Sequence, residues 1–187
     1  MSALRDSFFI SEEDYLAGEL VSPIKHEYVA GRVYAMSGGT ANHQRVARNF
    51  VVSASSGLRG KSCEPFGSDL SVRVEQLGDV SYFYPDASVV CSPLEGSAQF
   101  TDAPAVVLEV LSPTTRRIDE TSKLQAYLSL ASLQVCLLAE SDEAFVRVYR
   151  RKDDEFVVEV YEGREAEIAL PEIEMTLSLE DLYRDVE

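Results

Sequence analysis

The chain has 187 residues, 45% of them hydrophobic, and 32 acidic against 17 basic residues give it a formal net charge of -15. That length holds one substantial core, so residues 1–187 read as a single domain, and the steady recurrence of apolar residues excludes a disordered chain. The acidity excludes broad electrostatic attraction to a polyanion, because affinity for nucleic acid is dominated by phosphate neutralisation.

The charge is uneven: from Glu140 onward 16 acidic residues stand against 6 basic ones, which leaves -5 for the residues before it. A solvated acidic rim accounts for that tail. No basic-then-apolar leader opens the sequence, and no apolar run approaches the ~20 residues needed to span a bilayer, so a cytoplasmic protein is expected. Cys63, Cys91 and Cys136 form no Cys-x-x-Cys pair, and Cys91 and Cys136 lie in apolar strand-like runs. The expectation is buried free thiols, with neither a disulfide framework nor a zinc site.

In chain order, Ser11 followed by Glu-Glu-Asp predicts a capped helix over 12–19. HEYVAGRVYAMS (26–37) alternates around Ala30-Gly31 and predicts a β-hairpin. Val46, Phe50, Ala54 and Leu58 recur at helical spacing, which predicts a long helix from Thr40 to Leu58. Three strands follow, LSVRV (70–74), YFYPDASVV (82–90) and AVVLEVL (105–111), rich in β-branched and aromatic residues. Helical spacing returns from Asp119 to Leu130, and QVCLLAE (134–140) reads as a further strand. FVRVYRR (145–151) and FVVEVYE (156–162) flank the polar KDDE turn as a second hairpin, and SLEDLYRDV closes as a short helix. The class is α/β (α+β), with a central mixed β-sheet and flanking helices in the order α-β-β-β-α-β between two hairpins.

One residue breaks this pattern. Glu109 stands in the apolar run VVLEVLSPT (106–114), on one strand face with Val107 and Leu111. An ionised carboxylate removed from water costs several kcal/mol, so a metal, a cationic side chain or cleft solvent must offset it. Asp86 follows Pro85, and if strands 82–90 and 105–111 are neighbours the two carboxylates converge at one sheet end. Two such acids repel each other unless a cation separates them, and Mg²⁺ or Mn²⁺ suits oxygen donors of this kind. On the following helix Asp119, Lys123 and Tyr127 form one stripe, from which Lys123 can reach back as a point charge. The same residues also read as a structural ion-pair network at a sheet edge, with Asp86 and Glu109 bridged to Lys123 or Arg116. Arg116 and Arg117, just before Asp119, suit phosphate contact better than a solvated turn.

YPD (84–86), LEVLSPTT (108–115), the D-x-x-x-K-x-x-x-Y spacing of Asp119, Lys123 and Tyr127, and KHEYVAGRVYAMSGGTANHQRVA (25–47) together resemble the Uma-type family of endonucleases. That family belongs to the PD-(D/E)XK restriction-endonuclease-like superfamily, and the resemblance runs from about residue 25 to 150. It implies a site that hydrolyses phosphodiesters, with Mg²⁺ or Mn²⁺ held by Asp86 and Glu109 and by the backbone carbonyl of Val110. One position departs: the motif lysine two residues after the glutamate is Leu111 here, and the resemblance implies that Lys123 replaces it from the helix. Glu27, a further acidic ligand, His43, facing the cleft, and Asp69 also fall at family positions. The expected function is endonucleolytic cleavage of nucleic acid, DNA ahead of RNA, by a protein that pairs as a homodimer to cut both strands of a duplex. The alternatives are a catalytically idle binding or regulatory protein on the same fold, or a structural subunit of a larger complex.

Overall fold

The computed structural model of the chain describes residues 9–112 and 119–187. Helix α1 (Glu12–Glu19) starts on Ser11, whose hydroxyl accepts from the Asp14 amide. The hairpin β1 (His26–Val29) and β2 (Arg32–Ala35) turns at Ala30 and Gly31, with φ of 47° and 90°. Two positive φ values in succession are what a tight two-residue turn between twisted strands demands. Helix α2 (Ala41–Gly57) is capped by Thr40, which accepts from the His43 amide.

Six strands follow: β3 (Glu64–Gly67), β4 (Ser71–Gln76), β5 (Asp79–Phe83), β6 (Ala87–Val90), β7 (Phe100–Thr101) and β8 (Pro104–Leu111). A π-helical turn (Asp119–Lys123) runs into helix α3 (Leu124–Leu128) and then β9 (Val135–Glu140). Hairpin β10 (Phe145–Lys152) and β11 (Glu155–Glu162) comes next. A small pair, β12 (Glu167–Leu170) and β13 (Met175–Ser178), leads to helix α4 (Leu179–Leu182).

The strands form a six-stranded sheet, β11-β10-β9-β8-β6-β3, and a five-stranded sheet, β2-β1-β5-β4-β7. In the larger sheet β8 and β9 are parallel, and the other pairs are antiparallel. All eight residues of β8 are buried, which explains its continuous apolar run. One of its faces, bearing Val106, Leu108 and Val110, packs with Val46, Phe50 and Ala54 of α2 and with Ile168, Leu177 and Leu182. Its other face, bearing Val107 and Leu111, packs with Val72, Val74 and Phe83 of the smaller sheet and with Leu124 and Tyr127. Tyr15, Tyr28 and Tyr82 stack as a separate cluster.

The mixed α/β class, both hairpins, the long helix α2 and the shorter helical segments stand as expected, but the strand inventory is larger. YFYPDASVV is two strands, not one: β5 belongs to the smaller sheet and β6 to the larger, with Tyr84, Pro85 and Asp86 as the crossing. Proline cannot donate to a ladder, so the pairing stops there and the chain changes sheets. Segment 64–67 also forms a strand, β3, where Pro65 is tolerated because β3 is an edge.

That strand corrects the cysteine reading. β3 and β6 pair so that Glu64 faces Val90, which makes Cys63 and Cys91 the next rung, and the two form a disulfide across a sequence separation of 28. Cys136 alone is a free, buried thiol. The cross-link closes a loop that contains β4 and β5, so it constrains the unfolded chain across the crossing between the sheets. Cys63→Ser is expected to lower the unfolding free energy by about 2–4 kcal/mol, seen as a lower urea midpoint with a steeper slope as the unfolded chain expands. Alkylation of the unfolded, unreduced protein should label Cys136 alone; labelling of all three thiols would refute the pairing.

Candidate active site

The two sheets meet where β1, β8 and the crossing before β6 come together, and six ionisable side chains lie there. Glu109 leaves β8 on the face shared with Val107 and Leu111, and its side chain is only 3% exposed. Its Oε1 accepts from the Tyr127 hydroxyl at 2.8 Å and lies 3.4 Å from Lys123 Nζ. Lys123, 8% exposed, is 2.7 Å from Glu27 Oε1, and the Tyr84 amide donates to that same oxygen at 3.3 Å. Glu27 alternates with Tyr28, so while Tyr28 enters the tyrosine cluster, Glu27 points from the opposite face of β1.

Asp86 stands at the start of β6. Ala87 faces Leu108 in the ladder, so continuing that register by one residue sets Asp86 against Glu109. Asp86 Oδ2 accepts from the Val110 amide at 2.7 Å and lies 3.2 Å from His43 Nε2. His43 reaches it from the first turn of α2 because Gly39 leaves room: a Cβ at Gly39 would sit 2.6 Å from His43 Nδ1.

Three carboxylates and one ammonium give this group a formal excess of two negative charges when His43 is neutral. Lys123 answers Glu27 and Glu109, the acids with the least access to water. Burial, and after it the charges of Glu109 and Glu27, hold the Tyr127 hydroxyl well above its ordinary pKa, so it remains protonated and donates. Burial and then Glu109 push the Cys136 thiol upward in the same way, which keeps it an inert neighbour.

The chemistry of the donor set is that of a hard divalent ion. Among the described residues no three His, Cys, Asp or Glu side chains stand together as a metal cage. Asp86 and Glu109 supply two oxygen-bearing groups at adjacent strand positions, which suits Mg²⁺, an ion commonly held by one or two carboxylates with water or phosphate completing its shell. The excess of two negative charges points the same way.

The structure therefore brings together Asp86, Glu109, Lys123, Glu27 and His43, with Val110 contributing its amide to Asp86. It does not bring Asp69: that side chain is 93% exposed and pairs with Lys25 at 2.5 Å. Asp119 opens the π-helical turn, but its side chain, like Arg116 and Arg117, lies outside the described residues. Spacing places Tyr127 on the Lys123 stripe without giving it a role, and the bond to Glu109 supplies one. Gly39 and the Tyr84 amide carry no sequence signal of their own, since a close approach and a backbone donor leave no mark on residue type.

Comparison with known proteins places the chain in a family. The chain is 33% identical over 177 residues to the uncharacterized protein slr1290 of Synechocystis sp., covering 94% of this chain and 92% of that one. The uncharacterized protein sll1609 of the same organism is 26% identical over 172 residues, covering 90% and 96%. The fold is shared with the crystal structure of "a putative nuclease belonging to DUF820" from Anabaena variabilis, with a TM-score of 0.72 at 24% identity over 93% of this chain and 97% of that one. Residues 12–180 match the family Uma2, described as "Putative restriction endonuclease", and the chain belongs to that family.

Proposed function

We propose that the protein is a divalent-metal-dependent endonuclease that hydrolyses phosphodiester bonds in nucleic acid. The observation that carries this reading is that Asp86 accepts from the amide of Val110, the residue after Glu109, while the Lys123 ammonium lies between Glu109 and Glu27. Family membership and the nuclease neighbour support it.

Asp86 and Glu109, with the Val110 carbonyl, would hold Mg²⁺ or Mn²⁺. Such an ion lowers the pKa of a coordinated water and offsets charge on the phosphoryl oxygens. The chain's own groups do the rest. The Val110 amide and His43 orient Asp86, and Tyr127 and Lys123 orient Glu109. The Lys123 ammonium would offset the negative charge that builds as water attacks phosphorus and the bond to the leaving oxygen breaks. DNA is the favoured substrate over RNA, and a homodimer would present two such sites to a duplex. No helix among the described residues is long and apolar enough to cross a membrane. The reading includes a cytoplasmic location, against which the Cys63–Cys91 bond stands, because disulfides are rare in that compartment.

A second reading has one observation in its favour. Lys123 already compensates Glu27 and Glu109, so a nuclease fold that binds without cutting would look the same at these residues.

Two experiments test the site, and the first separates the readings. Asp86→Ala should abolish Mn²⁺-dependent cleavage of labelled DNA while leaving the circular dichroism spectrum unchanged; cleavage at the wild-type rate would remove Asp86 from the mechanism. Lys123→Met takes the ammonium from two buried carboxylates and should cost about 3 kcal/mol of stability near neutral pH in urea unfolding. Adding Glu27→Gln should return part of that loss, and strict additivity of the two changes would show that Lys123 and Glu27 are not coupled.

A further inference from the structure

Glu109 has two donors on one oxygen, and they differ in kind. Lys123 is a compact charge on a flexible stem with three rotatable donors, so it compensates the carboxylate without fixing its rotation. Tyr127 is rigid by comparison. Its ring is fully buried, with Phe83 of β5 set edge-on at a centroid separation of 5.7 Å and an interplanar angle of 74°, and its hydroxyl has a single direction left to point. Phe83 belongs to the smaller sheet and Glu109 to the larger, so Tyr127 ties the carboxylate to both.

The two donors also move together. Lys123 ends the π-helical turn and Tyr127 lies one turn further in α3, four residues on, so both contact Glu109 from one stripe of one continuous helical segment.

We propose that Tyr127 is a positioning residue: its hydroxyl fixes the rotation of the Glu109 carboxylate and so sets how well that carboxylate serves a divalent ion. The proposal rests on the nuclease reading above, because it gives Glu109 an ion to serve. A hard cation tolerates little deviation in its donors, and groups that orient a ligand from behind typically govern affinity by about 10–100-fold. A purely structural tyrosine would instead govern stability alone.

The test is Mn²⁺ binding followed by loss of the free-ion electron paramagnetic resonance signal, on wild type, Glu109→Gln, Tyr127→Phe and Phe83→Leu, with urea unfolding of each. Tyr127→Phe keeps the ring and removes the hydroxyl; it is expected to stay folded and to bind Mn²⁺ about tenfold more weakly. Phe83→Leu disturbs the packing and keeps the hydroxyl; it is expected to lose stability and to bind Mn²⁺ as wild type does. Wild-type affinity in Tyr127→Phe overturns the proposal, as does an equal weakening in Phe83→Leu, which would assign the effect to ring packing. Binding in wild type that Glu109→Gln leaves untouched overturns the nuclease reading itself, and the role of Tyr127 falls with it.

Discussion

The structure depends on keeping a carboxylate inside a strand that is buried on both faces. Glu109 sits at the middle of the protein, and the cost of removing it from water is met by a tyrosine hydroxyl and an ammonium on the helix that follows. The compensation is local and asymmetric. Lys123 is shared with Glu27, which arrives from the other sheet, so one amine holds two carboxylates and joins two layers. A salt bridge of this kind contributes little to stability against a well-packed apolar alternative. Its persistence makes sense as chemistry, where an apolar replacement would have none to offer.

The crossing at Pro85 explains why the site lies where it does. A strand that continued through residues 82–90 would carry Asp86 along one sheet. Because the ladder ends at Phe83 and resumes at Ala87, Asp86 falls in the step between the sheets, where its side chain accepts from the Val110 amide. β3 pairs along the whole of β6 and the Cys63–Cys91 bond ties the far end of that pair, so the residue after the crossing starts from a fixed strand. Gly39 does the matching work from the other side by letting His43 approach.

These particulars show which features were legible in the sequence. Glu109 announced itself because a carboxylate in an apolar run is a local contradiction, and Lys123 followed from helical spacing, which a sequence states directly. Asp86 was legible through its proline. The split of YFYPDASVV was not, because β-branched and aromatic residues continue on both sides of Pro85 and nothing local says that they serve different sheets. The disulfide was hidden for a related reason: it depends on β3 lying beside β6, a long-range pairing of a short, proline-containing segment with no alternation of its own. Asp69 illustrates the reverse error, in which a residue at a suggestive position is turned into solvent by its neighbour Lys25.

Charge decides how such a site could meet its substrate. A chain with a net charge of -15 repels a polyanion at long range, and the excess of acidic residues beyond Glu140 makes that worse. Approach must therefore rely on short-range neutralisation, inside the Debye length of about 8 Å at physiological salt. Within the candidate site one ammonium faces three carboxylates, so the protein alone presents phosphate with a repulsive surface. A divalent ion held by Asp86 and Glu109 would cancel that excess at the point of attack and nowhere else. Under the proposed function the ion would do two jobs that a basic nuclease divides between metal and surface: it would serve the chemistry, and it would remove the repulsion that keeps a phosphate out. Binding and cleavage would then share one metal dependence, whereas a nuclease with a basic groove can hold nucleic acid before any ion arrives.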